Sequence, residues 1–270
     1  MVEIQTYVLG STESEHKRLI RQATILAPHT ERFFRDAGLA AGWRVLDIGS
    51  GVGDVAMLAA RLVGPSGEVV GIERDPRSIA RARARATEAG LHNVSFSHCD
   101  VADFPVGDRF DAVVGRYILM FLPNPVAVLR SVANAVHPGG VVAFQEVSWA
   151  PFHALSKHLP LWSATGALVC EAIRRSGANS EMGLDLARVF QESGLLTPAL
   201  QMEVPLGNSP EFVSLICDLL GSVLPTLDGL AIRVDAVGDF ETLAQRLHAE
   251  VVASGGVAAF PALVGGWVRK

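Results

Sequence analysis

The clearest feature of the hydrophobic pattern is a short apolar block that stops at a glycine-rich segment. Val45, Leu46 and Ile48 form the block, and glycine then occupies alternate positions of the segment 49–53. A short, partly β-branched apolar run is typical of a buried strand. Beyond the glycines, apolar residues recur at helical spacing, at Val55, Leu58, Ala59 and Leu62. The pattern therefore predicts a strand, a tight turn and a helix, which is how a βαβ unit begins.

The alternation of strand-like and helix-like segments continues along the chain. Strand patterns follow at 69–73, 94–97, 110–115, 141–147, 197–206 and 258–268. Helical patterns lie at 75–89, 125–136, 184–192, 212–220 and 240–252. Two further helices, divided near Pro28, precede the first strand, and a helical, irregular stretch occupies 151–183. Strands that alternate with helices indicate an α/β domain with a mainly parallel sheet.

Composition narrows the classes of protein. With 270 residues, 49% of them hydrophobic and 19% charged, the chain can bury one substantial core or a core plus a small cap. It has no apolar run of about twenty residues and no signal-peptide pattern at its start, so we expect a cytoplasmic protein without a membrane segment. The net charge of −5 argues against a nucleic-acid partner and favours a small molecule. Three widely spaced cysteines without a C-x-x-C pair indicate neither disulfides nor a metal site.

The glycine segment has the chemistry of a ligand-binding turn. Glycine adopts positive φ without penalty and lets a ligand approach the backbone, and the amides of the next helix then face that ligand. The spacing is G-x-G-x-G, whereas dinucleotide sites use G-x-G-x-x-G. Asp54 occupies the place of the third glycine of that fingerprint. An acid there suits a ligand with an ammonium group better than a pyrophosphate. A turn without any ligand is the alternative.

From Val45 to Gly53 the sequence resembles the first motif of the class I S-adenosylmethionine-dependent methyltransferases. The nearest likeness is to the ubiquinone/menaquinone-biosynthesis type and its secondary-metabolite relatives, and it is specific as far as about Glu146. The resemblance implies a doubly wound, seven-stranded Rossmann-like α/β fold with helical cap segments and an antiparallel last strand. It also implies S-adenosyl-L-methionine as cofactor and S-adenosyl-L-homocysteine as product. The methyl group would pass by in-line displacement to an O, C or N nucleophile of a small secondary metabolite or quinone-like compound.

This resemblance also suggests how the chain is divided. We expect an N-terminal helical lid at 1–40, a cofactor-binding α/β core at 41–149 and a helical cap over the acceptor site at 150–183. Residues 184–270 would complete the sheet and add further helices.

The nucleoside half of the cofactor is expected at the ends of the second and third strands. Glu73 stands twenty residues after Gly53, where α/β folds place an acid that accepts hydrogen bonds from ribose hydroxyls. Arg74 would lie near the adenine. In similar methyltransferases an acid after the third strand accepts from the adenine amino group. Asp100 is our choice for it, with the Val101 amide as donor to the ring; Asp103 is the competitor, and a helix cap is the alternative role for either acid.

The methionine half is expected at the glycine turn. The residues assigned there are Asp47, Gly49, Ser50, Gly51 and Gly53. Arg116, at the end of the fourth strand, would meet the cofactor carboxylate or the acceptor, unless it only pairs with a nearby acid. In proteins that this one resembles, an N-terminal segment folds over the cofactor, so Tyr7 and Gln22 would approach the methionine part.

The acceptor is less well defined. His153, shortly after the fifth strand, is the candidate general base, because histidine titrates in the useful range. An acceptor that is already nucleophilic needs only positioning. His158, Glu146 and Tyr117 are further candidates for acceptor contacts without assigned roles.

Two other functions stay open at this point. A nicotinamide-dependent oxidoreductase would share the strand and glycine turn, but the glycine spacing counts against it. A non-catalytic cofactor-binding protein would keep the glycines and Glu73 without an acceptor pocket. A homodimer is compatible with either.

Overall fold

The computed structural model describes residues 12–104, 109–227 and 229–270. The helices are α1 Glu13–Ala37, α2 Asp54–Val63, α3 Pro76–Glu88, α4 Pro125–Asn134, α5 Ala150–Leu155, α6 Pro160–Arg175, α7 Met182–Glu192, α8 Pro210–Leu227 and α9 Leu243–Ser254. The strands are β1 Arg44–Ile48, β2 Glu68–Glu73, β3 Val94–His98, β4 Phe110–Arg116, β5 Val136–Ser148, β6 Ala199–Glu203, β7 Leu206–Gly207, β8 Ala258–Ala259 and β9 Ala262–Arg269. Short 3₁₀ helices occupy Val101–Asp103, Leu119–Phe121 and Asp235–Val237.

The described chain forms two compact units. The sheet unit consists of Leu26–Glu146, Met182–Met202 and Val264–Lys270. The helical unit consists of the described residues up to Ile25 together with Val147–Glu181 and Glu203–Leu263. The boundary therefore falls within α1, β5, β6 and β9.

A seven-stranded sheet in the order β3-β2-β1-β4-β5-β9-β6 organises the sheet unit. Five neighbouring strands of this sheet run parallel to one another: β3, β2, β1, β4 and β5. Gly139 donates its backbone N–H to the Lys270 carbonyl at 2.7 Å, and Lys270 donates back to Gly140 at 2.8 Å. The end of β9 thus lies beside the start of β5, so β9 runs antiparallel. The expected doubly wound α/β fold with a seven-stranded sheet is confirmed.

Helices cover both faces of this sheet, as continuous apolar strands require. Val141 and Ala143 of β5 belong to a core cluster that also contains residues of α1, α2 and α3. The alternate residue Phe144 points the other way and contacts Phe190 of α7, with ring centroids 6.4 Å apart. Because β1, β2 and β4 run parallel, their carboxyl ends share one edge of the sheet. Open α/β sheets bind ligands at this edge.

A chain of buried aromatic rings forms the centre of the helical unit. Trp149 contacts Phe152 with ring centroids 5.2 Å apart, Phe152 contacts Trp162 at 6.3 Å, and Trp162 stacks on Phe212 at 6.5 Å.

The helix α8, which carries Phe212, is long and apolar enough to cross a membrane by length and composition alone, with a mean hydropathy of 1.4. Half of it is buried in the fold, as in an ordinary core helix.

Three predicted boundaries are wrong, and prolines explain two of them. The expected strands 197–206 and 258–268 are each divided, at Pro205 and Pro261, because proline has no N–H to give to a strand ladder. Conversely, the two helices expected before β1 are one helix, α1, which continues through Pro28. Burial of Leu26 and Phe33 on either side of that proline outweighs the lost helical hydrogen bond.

Glu146, near the end of β5, is a fully buried acid. Its carboxyl group accepts the backbone N–H groups of Ile118 at 3.0 Å, Leu119 at 2.8 Å and Met120 at 3.4 Å. Burial raises the pKa of Glu146 to about 8, and the three amides offset part of the rise. Its carboxyl group therefore fixes the segment after β4 and is mainly protonated at pH 7.

We predict that Glu146→Gln removes a pH dependence of folding. The pKa of this acid is 4.5 in its ordinary state and about 8 in the fold. Its contribution to stability is therefore complete below pH 4.5 and is lost as the pH rises through 8, by on the order of 3–5 kcal/mol. Urea denaturation at pH 5 and at pH 8.5 measures the difference. The variant should gain stability over the wild type only at the higher pH; an identical pH dependence for both proteins would contradict this account.

Candidate functional site

The three glycines of the turn after β1 serve different purposes. All have positive φ, of 65° at Gly49, 52° at Gly51 and 87° at Gly53. A Cβ on Gly49 would lie 2.6 Å from Ile118 Cδ1, and one on Gly53 would lie 2.9 Å from Phe96 Cζ. A Cβ on Gly51 would meet nothing within 4 Å. The outer two glycines are therefore required by packing, whereas the middle one leaves a bare backbone surface.

Glu73 connects the end of β2 to this turn. Its Oε2 accepts the Gly51 amide at 3.0 Å, and its Oε1 accepts the amides of Arg74 at 2.8 Å and Asp75 at 2.9 Å. A carboxylate offers about four lone-pair positions, so the acid can accept a further donor while it holds these three. Its side chain is half-buried at the carboxyl edge of the sheet.

Asp47, in the central strand β1, is an acid without full hydrogen bonding. It is 1% exposed, and among the described residues its Oδ2 has no hydrogen-bond partner. Burial raises the pKa of Asp47 well above its ordinary value; Arg116 and a backbone hydrogen bond to Ala56 oppose that rise. The buried Ser50 hydroxyl, three residues later, is also without a partner in the described chain. A cationic donor beside the turn would satisfy these groups.

Arg116 lies at the end of β4 and reaches α1. Its Nη1 donates to Thr30 Oγ1 at 2.9 Å, and that hydroxyl donates to Gln145 Oε1 at 2.8 Å. Arg116 is also close enough to lower the pKa of Asp47. The next residue, Tyr117, has φ 56°, a conformation that is costly for a non-glycine residue and tends to occur at functional sites. Thr30 and Gln145 had no signal in the sequence pattern.

The residues expected at the adenine lie beyond β2 and β3. Asp100 is exposed and caps the 3₁₀ helix that follows it, its Oδ1 accepting the Ala102 amide at 2.9 Å. Val101 is buried, whereas Arg74 is exposed. The Arg74 carbonyl lies 3.0 Å from His98 Nε2, which joins the ends of the two strands. Asp100 therefore does cap the 3₁₀ helix, as the alternative role predicted. The cap uses only its Oδ1, and its other oxygen takes no part in this hydrogen bond.

Asp54, the acid at the start of α2, is neutralised by an arginine of α3. Arg85 Nη2 lies 2.7 Å from Asp54 Oδ1, and the two side chains are only 15% and 13% exposed. Asp54 therefore does not present a bare negative charge to a ligand, and its charge is a weaker argument against a pyrophosphate than the sequence implied. The clustered arginines of α3 were the available signal for this pair.

The other predicted site residues are Gln22, His153 and Tyr7. Gln22 is buried in the helical unit, where its Oε1 accepts from Arg18 Nη1 at 2.6 Å. Arg18 in turn forms two hydrogen bonds to Glu15, at 2.7 and 2.6 Å. His153 is exposed on α5 of the same unit. Tyr7 lies outside the described residues.

Across residues 12–104, 109–227 and 229–270 there is no group of three or more His, Cys, Asp or Glu side chains that could hold a metal ion.

Comparison with known proteins gives a consistent picture. The methyltransferase domain family matches residues 39–194, more than half of the chain. Aklanonic acid methyltransferase DauC of Streptomyces sp. (strain C5) is 37% identical over 169 residues, which cover 57% of this chain and 74% of that protein. Demethylmenaquinone methyltransferase of Staphylococcus aureus (strain JH9) is 26% identical over 178 residues, covering 62% of this chain and 73% of the relative.

The fold also matches solved structures. A Bacillus halodurans C-125 protein assigned as a methyltransferase superposes with a TM-score of 0.60 at 19% identity. The match covers 88% of this chain and 97% of that one, and it supports the arrangement of the sheet and its helices.

We predict that Gly51→Val abolishes binding of S-adenosylhomocysteine while the fold survives. The side chain would enter the open surface above the turn, and the positive φ adds strain of about 1–2 kcal/mol. Gly90→Val is the matched control, because Gly90 also has positive φ, at 65°, with nothing within 4 Å of its Cβ position. Calorimetric titration of both variants, with thermal unfolding alongside, separates strain from loss of the site. Binding by Gly51→Val at wild-type affinity would place the ligand elsewhere.

Proposed function

The chain belongs to the methyltransferase domain family, and from that premise we propose that its acceptor is a small oxygenated organic compound of the secondary-metabolite or quinone kind. The enzyme transfers a methyl group from S-adenosylmethionine to a small molecule. The observation that carries the acceptor proposal is the 37% identity to an aklanonic acid methyltransferase, of which this chain covers 74%. The demethylmenaquinone relative supports the same class. Membership of the methyltransferase domain family favours methyl transfer over the nicotinamide-dependent oxidoreductase and the non-catalytic cofactor-binding protein.

Glu73 is our assignment for the ribose. It lies at the carboxyl edge of the sheet, and its contact with the Gly51 amide places it beside the open part of the turn. A carboxylate can accept from both ribose hydroxyls. Asp100 and the Val101 amide would bind the adenine from the end of β3, and Arg74 would lie alongside it.

Asp47 is our assignment for the cationic end of the cofactor. Its unpartnered buried oxygen, with the buried Ser50 hydroxyl nearby in the chain, supports a role as acceptor for an ammonium group. A cation bound there would oppose the burial that raises the pKa of Asp47, so cofactor binding would release a proton at pH values where Asp47 is protonated. Arg116 would bind the cofactor carboxylate. The Thr30 hydroxyl, which accepts a hydrogen bond from the Arg116 guanidinium, holds that side chain in place.

Displacement at a sulfonium methyl group depends mostly on alignment and on exclusion of water. Residues 1–40 as a lid, with Tyr7 and Gln22, and residues 150–183 as a cap would provide that exclusion. His153 would act as general base where the acceptor is a neutral hydroxyl. A small-molecule partner is supported by the relatives. The absence of a nucleic-acid or membrane partner, the cytoplasmic location and the homodimer stay predictions from the sequence.

We predict that Glu73→Gln weakens S-adenosylhomocysteine binding by about 1–3 kcal/mol, because an amide cannot accept two hydroxyls and hold the turn amide as a carboxylate does. Glu68→Gln is the matched control, since Glu68 stands on the same strand and pairs with Arg44 at an exposed position. Isothermal titration calorimetry gives both affinities. Equal affinities for the two variants would remove Glu73 from the site.

We predict that His153→Ala slows methyl transfer to a hydroxyl acceptor by about 10²–10⁴-fold and removes the acidic limb of the pH–rate profile, with cofactor affinity unchanged. The exposed His92, before β3, provides the control, His92→Ala. The substrate comes first from a screen for methyl transfer from labelled S-adenosylmethionine into phenols, polyketides, quinone precursors and amines. An unaltered rate and pH profile would leave positioning alone as the catalytic contribution of the protein.

A further inference from the structure

Arg85 of α3 contacts both the glycine turn and the start of α2. Its Nη2 pairs with Asp54 Oδ1 at 2.7 Å, and its Nη1 donates to the Val52 carbonyl at 2.6 Å. One guanidinium therefore holds both the last peptide of the turn and the first residue of α2. The side chain is 15% exposed, so water competes little with either contact.

The Val52–Gly53 peptide is held from both ends. Its carbonyl accepts from Arg85, and its N–H, which belongs to Gly53, donates to the Ser50 carbonyl at 2.8 Å. The intervening residue is Gly51, whose backbone has no side chain to limit its conformation. The direction of the Gly51 amide thus depends on its hydrogen bond to Glu73 and on the contacts at its two neighbours rather than on local sterics.

The helix α3 is connected to this turn at a second point. Asp75 caps α3 by accepting the amides of Arg77 and Ser78, and its own amide donates to Glu73, which holds the Gly51 amide. The start of α3 and its third turn therefore reach the same loop. Two attachments to one rigid helix restrict how far the turn can move.

We propose that Arg85 is a positioning residue for S-adenosylmethionine, which sets the conformation of the turn and neutralises Asp54 without touching the cofactor. This inference rests on the proposed placement of the cofactor at the glycine turn. With Arg85 present, the Asp54 charge is paired and adds no net charge to the start of α2. Without it, Asp54 would carry an unpaired charge beside the cofactor site, and the turn would sample other conformations.

The chain offers a matched control on the same helix. Arg83 Nη2 donates to the Phe96 carbonyl at 2.6 Å, a contact as short as that of Arg85 but directed to β3 rather than to the turn. Arg83→Met and Arg85→Met each remove one guanidinium and one backbone contact from α3. A purely structural role predicts similar consequences for the two variants.

The test measures S-adenosylhomocysteine binding by calorimetry and thermal unfolding for wild type, Arg83→Met, Arg85→Met, Arg85→Lys and the double variant that combines Arg85→Met with Asp54→Asn. We expect both methionine variants to unfold at lower temperature, but only Arg85→Met to raise Kd, by about tenfold or more, since small displacements at a binding site are costly. Arg85→Lys should recover part of the affinity through its charge. In the Arg85→Met background, Asp54→Asn should restore part of the affinity by removing the unpaired acid.

The outcomes separate this inference from the cofactor assignment. If the wild type does not bind S-adenosylhomocysteine, the proposed function fails. If the wild type binds and Arg83→Met raises Kd as much as Arg85→Met does, Arg85 is structural only and the inference is overturned. Wild-type affinity in Arg85→Met overturns it as well.

Discussion

The hydrogen bonds that Glu73 accepts from the amide of Gly51 and from its own neighbours hold together the edge of the sheet at which the candidate site lies. They join the end of β2 to the turn after β1 and to the cap of α3. The contact is possible because β1 and β2 pair in parallel register, with Ile48 opposite Ile72, so that the next residues of both strands leave the sheet side by side. Arg85 completes the arrangement through its hydrogen bond to the Val52 carbonyl. A bare glycine backbone, which has little conformational preference of its own, is thereby kept in one shape.

Two buried acids at this edge show how the same physical cost leads to different roles. Burial raises the pKa of both Asp47 and Glu146, because a carboxylate loses its hydration inside the protein. Three backbone amides donate to the carboxyl oxygens of Glu146 and make it a brace for the segment after β4. Asp47 keeps an oxygen without a partner in the described chain. A buried polar group of that kind usually has a functional explanation, and a cationic ligand supplies one.

The wrong expectations share a cause, which is that local pattern does not show what lies opposite. The arginines of α3 alternate with alanines in a polar sequence, which by itself is the pattern of a solvated helix face. Arg85 instead lies against Asp54, and Arg83 reaches Phe96. In the same way, Pro28 marks a helix boundary by its local chemistry, yet α1 continues through it. The apolar residues on both sides of the proline bury their side chains, and that gain is invisible in a list of propensities.

The sequence alone determined the α/β alternation, the strand–turn–helix at Val45 to Gly53 and the family resemblance, because periodicity and glycine placement act over a few neighbouring residues. It also located Glu73 at the end of β2, since the distance from the turn follows from the lengths of one helix and one strand. Only the tertiary structure decided which glycine is open, as that depends on Ile118 and Phe96 from other strands and loops. It likewise decided that Asp54 is neutralised, that Glu146 is a brace and that Asp47 lacks a partner. Each of these properties is set by groups distant in the chain, and a side chain's hydration and hydrogen bonding are fixed only when those groups meet.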